Sequence, residues 1–169
     1  MRKLLKIMHE SPVTFRDAMS LIPTSVSILA CISDSKIYSC TISSLVSVDV
    51  SKTNAQILFV LKKKSFVGSK IISSNQFTIN VLNSSQMPLA KKYSGQRIPE
   101  DLLSENWCTT SSRFTQIKDA RVVLKCEFAF VYKSHEADIF VGNVLDFDVK
   151  TEFNSLVYDS RRYGTFRLV

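Results

Sequence analysis

Two short stretches carry the residue types that could do chemistry. The first is Cys40-Thr41-Ile42-Ser43-Ser44-Leu45-Val46-Ser47-Val48, a hydroxyl-rich extended segment. The second is Ile57-Leu58-Phe59-Val60-Leu61-Lys62-Lys63-Lys64-Ser65, an apolar strand ending in three lysines and a serine. Residues after Ser65 have helical spacing, and a helix start presents unpaired N–H groups and partial positive charge to an anion. Ser65 is placed to cap that helix or to donate to a phosphate oxygen, with a lysine beside it adding full charge. In the first stretch, alternate residues of a strand point the same way, so Thr41 and Ser43 share a face next to Ser44 at a bend. Together the two read as neighbouring strands whose ends form one pocket for a flat ligand that carries a phosphate. Taken singly, each has a plainer reading: lysine runs are commonly solvated basic turns, and serines on a strand commonly face water.

The elements around these stretches read as a β protein. Thr14 and Asp17 have capping-box spacing, and Phe15, Met19 and Ile22 recur at helical intervals, which predicts a short amphipathic helix over 14–22, stopped by Pro23. Residues 25–32 alternate in strand fashion. A turn at Asp34-Ser35 leads to a strand over 36–43, and residues 45–50 continue it or turn a corner. A third strand covers 55–62, and a helix opening at Ser65 has Phe66, Val67, Ile71 and Ile72 as its apolar stripe. A fourth strand spans 76–83. Residues 84–93 read as helical with Pro88 in the first turn. Residues 95–112 are irregular, with a short helix expected over 100–105. Two long strands, 120–133 and 137–150, are joined by a hairpin turn at 134–136, and 156–159 with 163–166 form a last strand region. Six or seven strands, mostly antiparallel, with three short helices and no βαβ alternation predict a β-barrel rather than a doubly wound sheet.

The chain's 169 residues fit one domain, residues 1–169, with residues 1–13 as an N-terminal extension. The net charge of +7 favours anionic ligands without choosing among them. Cys31, Cys40, Cys108 and Cys126 show no CxxC spacing and only two histidines accompany them, so a zinc site is not expected. Scattered cysteines point to a reducing compartment, and the protein is expected to be cytoplasmic. Lys6 and Glu10 break the amino-terminal apolar run, against a signal peptide. No apolar run approaches the roughly 20 residues that span a bilayer, so no membrane partner is expected.

Taken in order, the pieces resemble the short-chain flavin reductases, the reductase components of two-component flavin-dependent monooxygenases. The resemblance runs from Phe15 to Phe166. It is carried by Phe15-Arg16-Asp17-Ala18-Met19 before Pro23-Thr24-Ser25-Val26, by Thr41 to Val48, and by Lys63-Lys64-Ser65. Phe77-Thr78-Ile79-Asn80-Val81-Leu82, Tyr93-Ser94-Gly95, Ile139-Phe140-Val141-Gly142-Asn143-Val144 and Tyr163-Gly164 complete it. The resemblance implies an FMN-binding split β-barrel, antiparallel and Greek-key-like, acting as a homodimer. It also implies reduction of FMN or FAD by NADH or NADPH, with the reduced flavin supplied to a partner oxygenase. On that basis Thr41, Ile42, Ser43 and Ser44 line the isoalloxazine edge, and Ser47 is a further cofactor-binding residue. Lys62, Lys63, Lys64 and Ser65 gather at the phosphate, Lys63 standing where the family often carries an arginine. Tyr163 is either a ring near the ligand or a core aromatic. No catalytic side chain is expected, because hydride transfer needs no general base and the chemistry belongs to the cofactor.

Two positions depart from the family pattern. Many members carry Gly-Asp-His before the strand matching Ile139 to Val144, with the histidine associated with nicotinamide; here the segment is His135-Glu136-Ala137, so His135 lies two residues early at a hairpin tip, where it is either the nicotinamide-binding residue or an exposed turn histidine. The turn between Val48 and Ile57 lacks the family's Pro-Pro pair. The first departure motivates a second reading, a flavin-binding carrier, sensor or electron relay without efficient NAD(P)H turnover. A third, a basic nucleic-acid-binding barrel, needs exposed aromatics interleaved with Lys and Arg. Phe77, Phe128 and Phe140 instead sit in buried-looking strand patterns, and no nucleic-acid partner is expected.

Overall fold

A computed structural model of the chain describes residues 13–95, 99–111 and 113–166. The expected extension over 1–13 lies, apart from Val13, outside the described residues. The element order is helix α1 (Phe15–Ser20), strands β1 (Thr24–Ser25), β2 (Ser27–Ser33), β3 (Lys36–Ile42), β4 (Val46–Asp49) and β5 (Gln56–Lys62), helix α2 (Phe66–Ser74) and β6 (Gln76–Val81). A 3-10 turn (Ser84–Gln86) then runs into helix α3 (Met87–Lys92). The chain continues with β7 (Glu100–Asp101), β8 (Trp107–Thr109), β9 (Thr115–Ile117), β10 (Val122–Lys133), β11 (Ala137–Val149), β12 (Leu156–Asp159) and β13 (Arg162–Thr165).

All described strand pairs are antiparallel. Eight strands form one sheet in the order β4-β5-β11-β10-β6-β2-β3-β7, with β1-β12-β13 and β8-β9 as smaller sheets. The large sheet does not close its hydrogen-bond ladder. β4 is one edge, β3 lies near the other, and residues 43–45 carry the chain directly between them. This is an antiparallel split barrel, as the family resemblance implies.

The long β10–β11 hairpin holds the two halves of the barrel together. The first half of β10 pairs with β6 (Val122↔Val81 to Glu127↔Gln76), whereas the tip half of β11 pairs with β5 (Ala137↔Lys62 to Asn143↔Gln56). Register shifts between Lys125/Cys126 and Phe128/Phe130 mark where the hairpin changes neighbours, and such bulges bend a strand and increase its twist.

Two cores fill the space on either side of the sheet. The barrel interior packs Phe59, Phe77 and Phe140, with Phe59 stacked on Phe140 at 5.4 Å and edge-on to Phe77 at 5.4 Å. Gly142 gives Phe77 its place, since a Cβ there would stand 2.5 Å from the ring's Cζ. The second core gathers Val26, Ile28, Leu82, Tyr93, Trp107, Ile117 and Leu156. β6 lies between the cores and is buried on both faces. The alternation of Thr78 and Asn80 with apolar residues therefore does not mark a solvent face: both are buried and hydrogen-bonded. Thr78 donates to Thr115 O at 2.7 Å; Asn80 Nδ2 donates to Ile28 O at 3.0 Å and its Oδ1 accepts from Ile117 N at 2.8 Å.

Other expectations meet the structure unevenly. Thr14 and Asp17 form the capping box, but the helix is shorter than 14–22, and Phe15, Met19 and Ile22 are all exposed. Asp17 also pairs with Arg161, beyond β12. The α2 stripe is narrower than expected: Val67 and Ile71 are buried, Phe66 and Ile72 half out. The helix expected over 100–105 is absent. Glu100 and Asp101 instead add a short strand to the free edge of β3, and the β8–β9 hairpin was not anticipated. Residues 45–50 turn the corner rather than prolong β3.

Asn80 joins β6 to β2 and β9, so its loss strands buried groups. Asn80→Ala is expected to cost about 2–4 kcal/mol, since each buried group left unpaired costs about 1–3 kcal/mol. Urea unfolding should show a lower midpoint at an unchanged slope.

Candidate functional site

The two stretches singled out above meet at one end of the barrel. β4 pairs with β5 in the register Val46↔Leu58 and Ser47↔Ile57, which carries the preceding bend to the end of β5 that holds Lys62. Ser44 makes the join: its Oγ accepts from Val60 N at 2.9 Å and donates to Val60 O at 3.3 Å. One hydroxyl thus satisfies both backbone groups of Val60 where the β4 ladder ends. Ser43 beside it is exposed. Ile42 is buried in the barrel core, and Ser47 is exposed on β4.

Past β5, the chain turns through Lys64, whose φ of 60° is left-handed, and starts α2. Ser65 is the N-cap, its Oγ accepting from Gly68 N at 3.3 Å. No acidic residue occupies the first turn of α2. Lys62, Lys63 and Lys64 are exposed and Ser65 is half-buried. The Phe66 ring meets Tyr38 of β3 edge-on at 5.4 Å, so the helix start leans against the strand that leads into the serine bend.

The structure does not leave all the candidate groups equally available. Thr41 Oγ1 donates to Ala90 O at 2.7 Å and Thr41 N to Tyr93 O at 3.1 Å, so this residue ties β3 to α3. Behind that tie sits a polar cluster with no counterpart in the sequence reading. Glu100 accepts from Lys92 at 2.6 Å, Trp107 Nε1 at 2.7 Å, Tyr93 Oη at 2.8 Å and Ser104 Oγ at 3.2 Å. Burial alone would raise the Glu100 carboxyl; the donors from Lys92, Tyr93 and Trp107 outweigh it and hold it below the usual glutamate value. In sequence only the Tyr93-Ser94-Gly95 match points to this cluster, because a network closed across α3, β7 and β8 leaves no periodic pattern.

Lys63 and His135 come together. Lys63 N donates to Glu136 O at 3.0 Å, and Lys63 Nζ to Ser134 O at 3.3 Å and His135 O at 3.2 Å. The His135 side chain is 92% exposed and its Nδ1 lies 2.9 Å from Glu136 Oε1. Ala137, at the family's histidine position, opens β11 opposite Lys62. Tyr163 belongs to the smaller sheet. It packs edge-on against Tyr158 at 5.1 Å and against the second core, and β1 links that sheet to the start of β2. The thiols of Cys31, Cys40 and Cys126 are pushed up to about 12 by burial, which makes them packing groups rather than nucleophiles.

Removal of the Ser44 hydroxyl should strand both backbone groups of Val60. Ser44→Ala is expected to lower stability by about 1–2 kcal/mol. The loss should concentrate at the β4–β5 edge, read as faster amide exchange at Val60 than at Phe140.

The family described as flavin reductase like domain matches this chain over residues 19–167. Among curated proteins, the reductase component of the FADH(2)-dependent resorcinol hydroxylase of Rhizobium sp. (strain MTP-10005) is 25% identical over 154 residues, 88% of this chain and 84% of that one. Among solved structures, the NADH:FAD oxidoreductase SgcE6 of Streptomyces globisporus C-1027 superimposes with a TM-score of 0.81 at 20% identity, covering 94% of this chain and 95% of that one. The styrene monooxygenase flavin reductase of Pseudomonas putida S12 gives 0.80 at 19% identity, covering 93% and 99%. The structural likenesses establish the fold, and the match over residues 19–167 establishes the kinship: this chain belongs to the flavin reductase-like domain family.

Proposed function

We propose that this protein is a flavin reductase that passes a hydride from NADH or NADPH to FMN or FAD and supplies the reduced flavin to a partner oxygenase. The observation that carries the proposal is the meeting of the serine bend with the basic start of α2 at one end of the barrel, joined by Ser44 and Val60. The residues present fit a flavin with its phosphate. A helix start without acidic residues and with exposed Lys62 and Lys64 beside it suits the phosphate. The exposed Ser43 and Ser47 and the backbone of Thr41 to Ser44 suit the polar edge of the ring.

When bound, the flavin supplies the two-electron acceptor. The chain's part is to bind it, hold one ring face open to the nicotinamide and favour negative charge. The N–H groups opening α2, with Lys62 and Lys64 beside them, would favour the negative charge that a bound flavin gains on reduction. Tyr163 is assigned a supporting place in the second core beside this end of the barrel. We assign the chain as one reductase domain, residues 1–169, with residues 1–13 as an N-terminal extension. The four free cysteines, three of them sheltered, suit a reducing cytoplasm.

We assign the active form as a homodimer on the character of the barrel's outer face. Ile57, Phe59 and Leu61 point inward, so their neighbours on β5 point out. In register, Val46, Leu58, Val141 and Phe130 form one outward apolar row, and Val60, Ile139 and Tyr132 a second. Val46, Phe130 and Tyr132 are 54%, 55% and 64% exposed, where the outer face of an antiparallel sheet is usually polar.

A second reading rests on Ala137 and the exposed His135: a flavin carrier or relay without efficient NAD(P)H turnover. One experiment separates the two. Purified protein with NADH or NADPH and either FMN or FAD is expected to show flavin-dependent loss of nicotinamide absorbance. Flavin binding with no such loss favours the carrier, and neither binding nor loss removes both. For the assembly, light scattering after gel filtration should give twice the chain mass, and Phe130→Glu with Tyr132→Glu should shift it toward the single-chain value.

A further inference from the structure

Lys63 is the residue whose bonds differ most from the role its place in the basic run suggests. Its backbone N–H and its ammonium together serve three successive carbonyls of the β10–β11 turn: Glu136 O at 3.0 Å, His135 O at 3.2 Å and Ser134 O at 3.3 Å. The turn has little else to hold it. Ser134, His135 and Glu136 are all exposed, and the bond closing the turn itself, Ser134 N to Ala137 O, is 3.2 Å long. A compact ammonium with three donors on a flexible stem can serve carbonyls that converge from one side. Lys62 and Lys64, its neighbours in the run, are equally exposed.

We propose that Lys63 is a positioning residue for the nicotinamide side of the site. It clamps the turn carrying His135 and Glu136 against the end of β5, while charge toward the flavin phosphate is left to Lys62, Lys64 and the N–H groups opening α2. The inference rests on the flavin reductase reading. With Ala137 in place of a histidine, the nicotinamide side of that reading falls to the turn, whose carbonyls are held by Lys63 beside the turn's own closing bond. This division of labour separates two neighbouring lysines that the sequence alone treats as equivalent.

The test compares Lys63→Met, Lys63→Arg and Lys64→Met with the wild-type protein. Equilibrium flavin affinity is read by fluorescence without nicotinamide, the KM for NADH and kcat at saturating flavin, and amide exchange of residues 134–137. Loss of hydrogen bonds to a charged group is worth on the order of tenfold in an equilibrium. Lys63→Met should raise the KM for NADH about tenfold, leave flavin affinity within about twofold and speed exchange at Ser134. Lys63→Arg should recover most of the KM, because its guanidinium donors can still reach two of the carbonyls. Lys64→Met should weaken flavin binding and leave the turn's exchange unchanged. A tenfold loss of flavin affinity in Lys63→Met, with the NADH KM and the turn's exchange unaltered, would overturn the proposal and make Lys63 the phosphate's cation. If the wild-type protein oxidises neither nicotinamide, the reductase reading fails on its own. The exchange data then decide the clamp separately, unchanged exchange in Lys63→Met refuting it.

Discussion

One hydroxyl sets where the edge of the barrel's sheet stops pairing. An eight-stranded sheet whose ladder stops at β4 on one side and β3–β7 on the other has two edges to reconcile, and the chain reconciles them covalently through residues 43–45. Ser44 turns that crossing into a joint by bonding both backbone groups of Val60. A ladder pair continued through this point would draw the serine bend into regular sheet. The side-chain bond instead ends pairing while leaving both backbone groups of Val60 bonded, which is the condition for an opening in a barrel wall. The opening lies where the basic start of α2 and the β10–β11 turn also arrive.

The other polar groups at this end act as struts. Thr41 fastens β3 to α3, the Glu100 cluster fastens α3 to β8, and Lys63 fastens β5 to the hairpin turn. Each uses a side chain that a surface reading would release to solvent or ligand. The hydroxyls and amines of the site therefore divide into those that build its walls and those left on its surface, chiefly Ser43, Ser47, Lys62 and Lys64.

Strand patterns in the chain were legible because β2, β3, β5, β10 and β11 are long and rich in β-branched and aromatic residues. The capping box at Thr14, the Asp34-Ser35 turn with both residues at positive φ, and Pro88 in the first turn of its helix were legible from single residues. The failures share a cause. Glu100 reads as the start of a short helix in sequence, whereas Lys92, Tyr93 and Trp107 hold it on a strand through contacts made only in the fold. The apolar stripe of α1 reads as a core face in sequence, yet Phe15 and Met19 are exposed in the single chain. Within the site, residue types and their order indicated which segments meet. They did not indicate which hydroxyl is already bonded, since Thr41 and Ser44 look alike to Ser43 in one dimension.

The strand order also bears on how the chain reaches this shape. β5 is complete by residue 62, but its inner neighbour in the sheet is β11, which ends at residue 149. β6 likewise waits for β10 on one side. A ribosome-bound chain of about a hundred residues would therefore leave one edge of β5 and one edge of β6 unpaired and open to solvent. Closure belongs to the moment after the long hairpin leaves the exit tunnel, and the protein is one whose yield in cells should lean on chaperones more heavily than its modest size suggests.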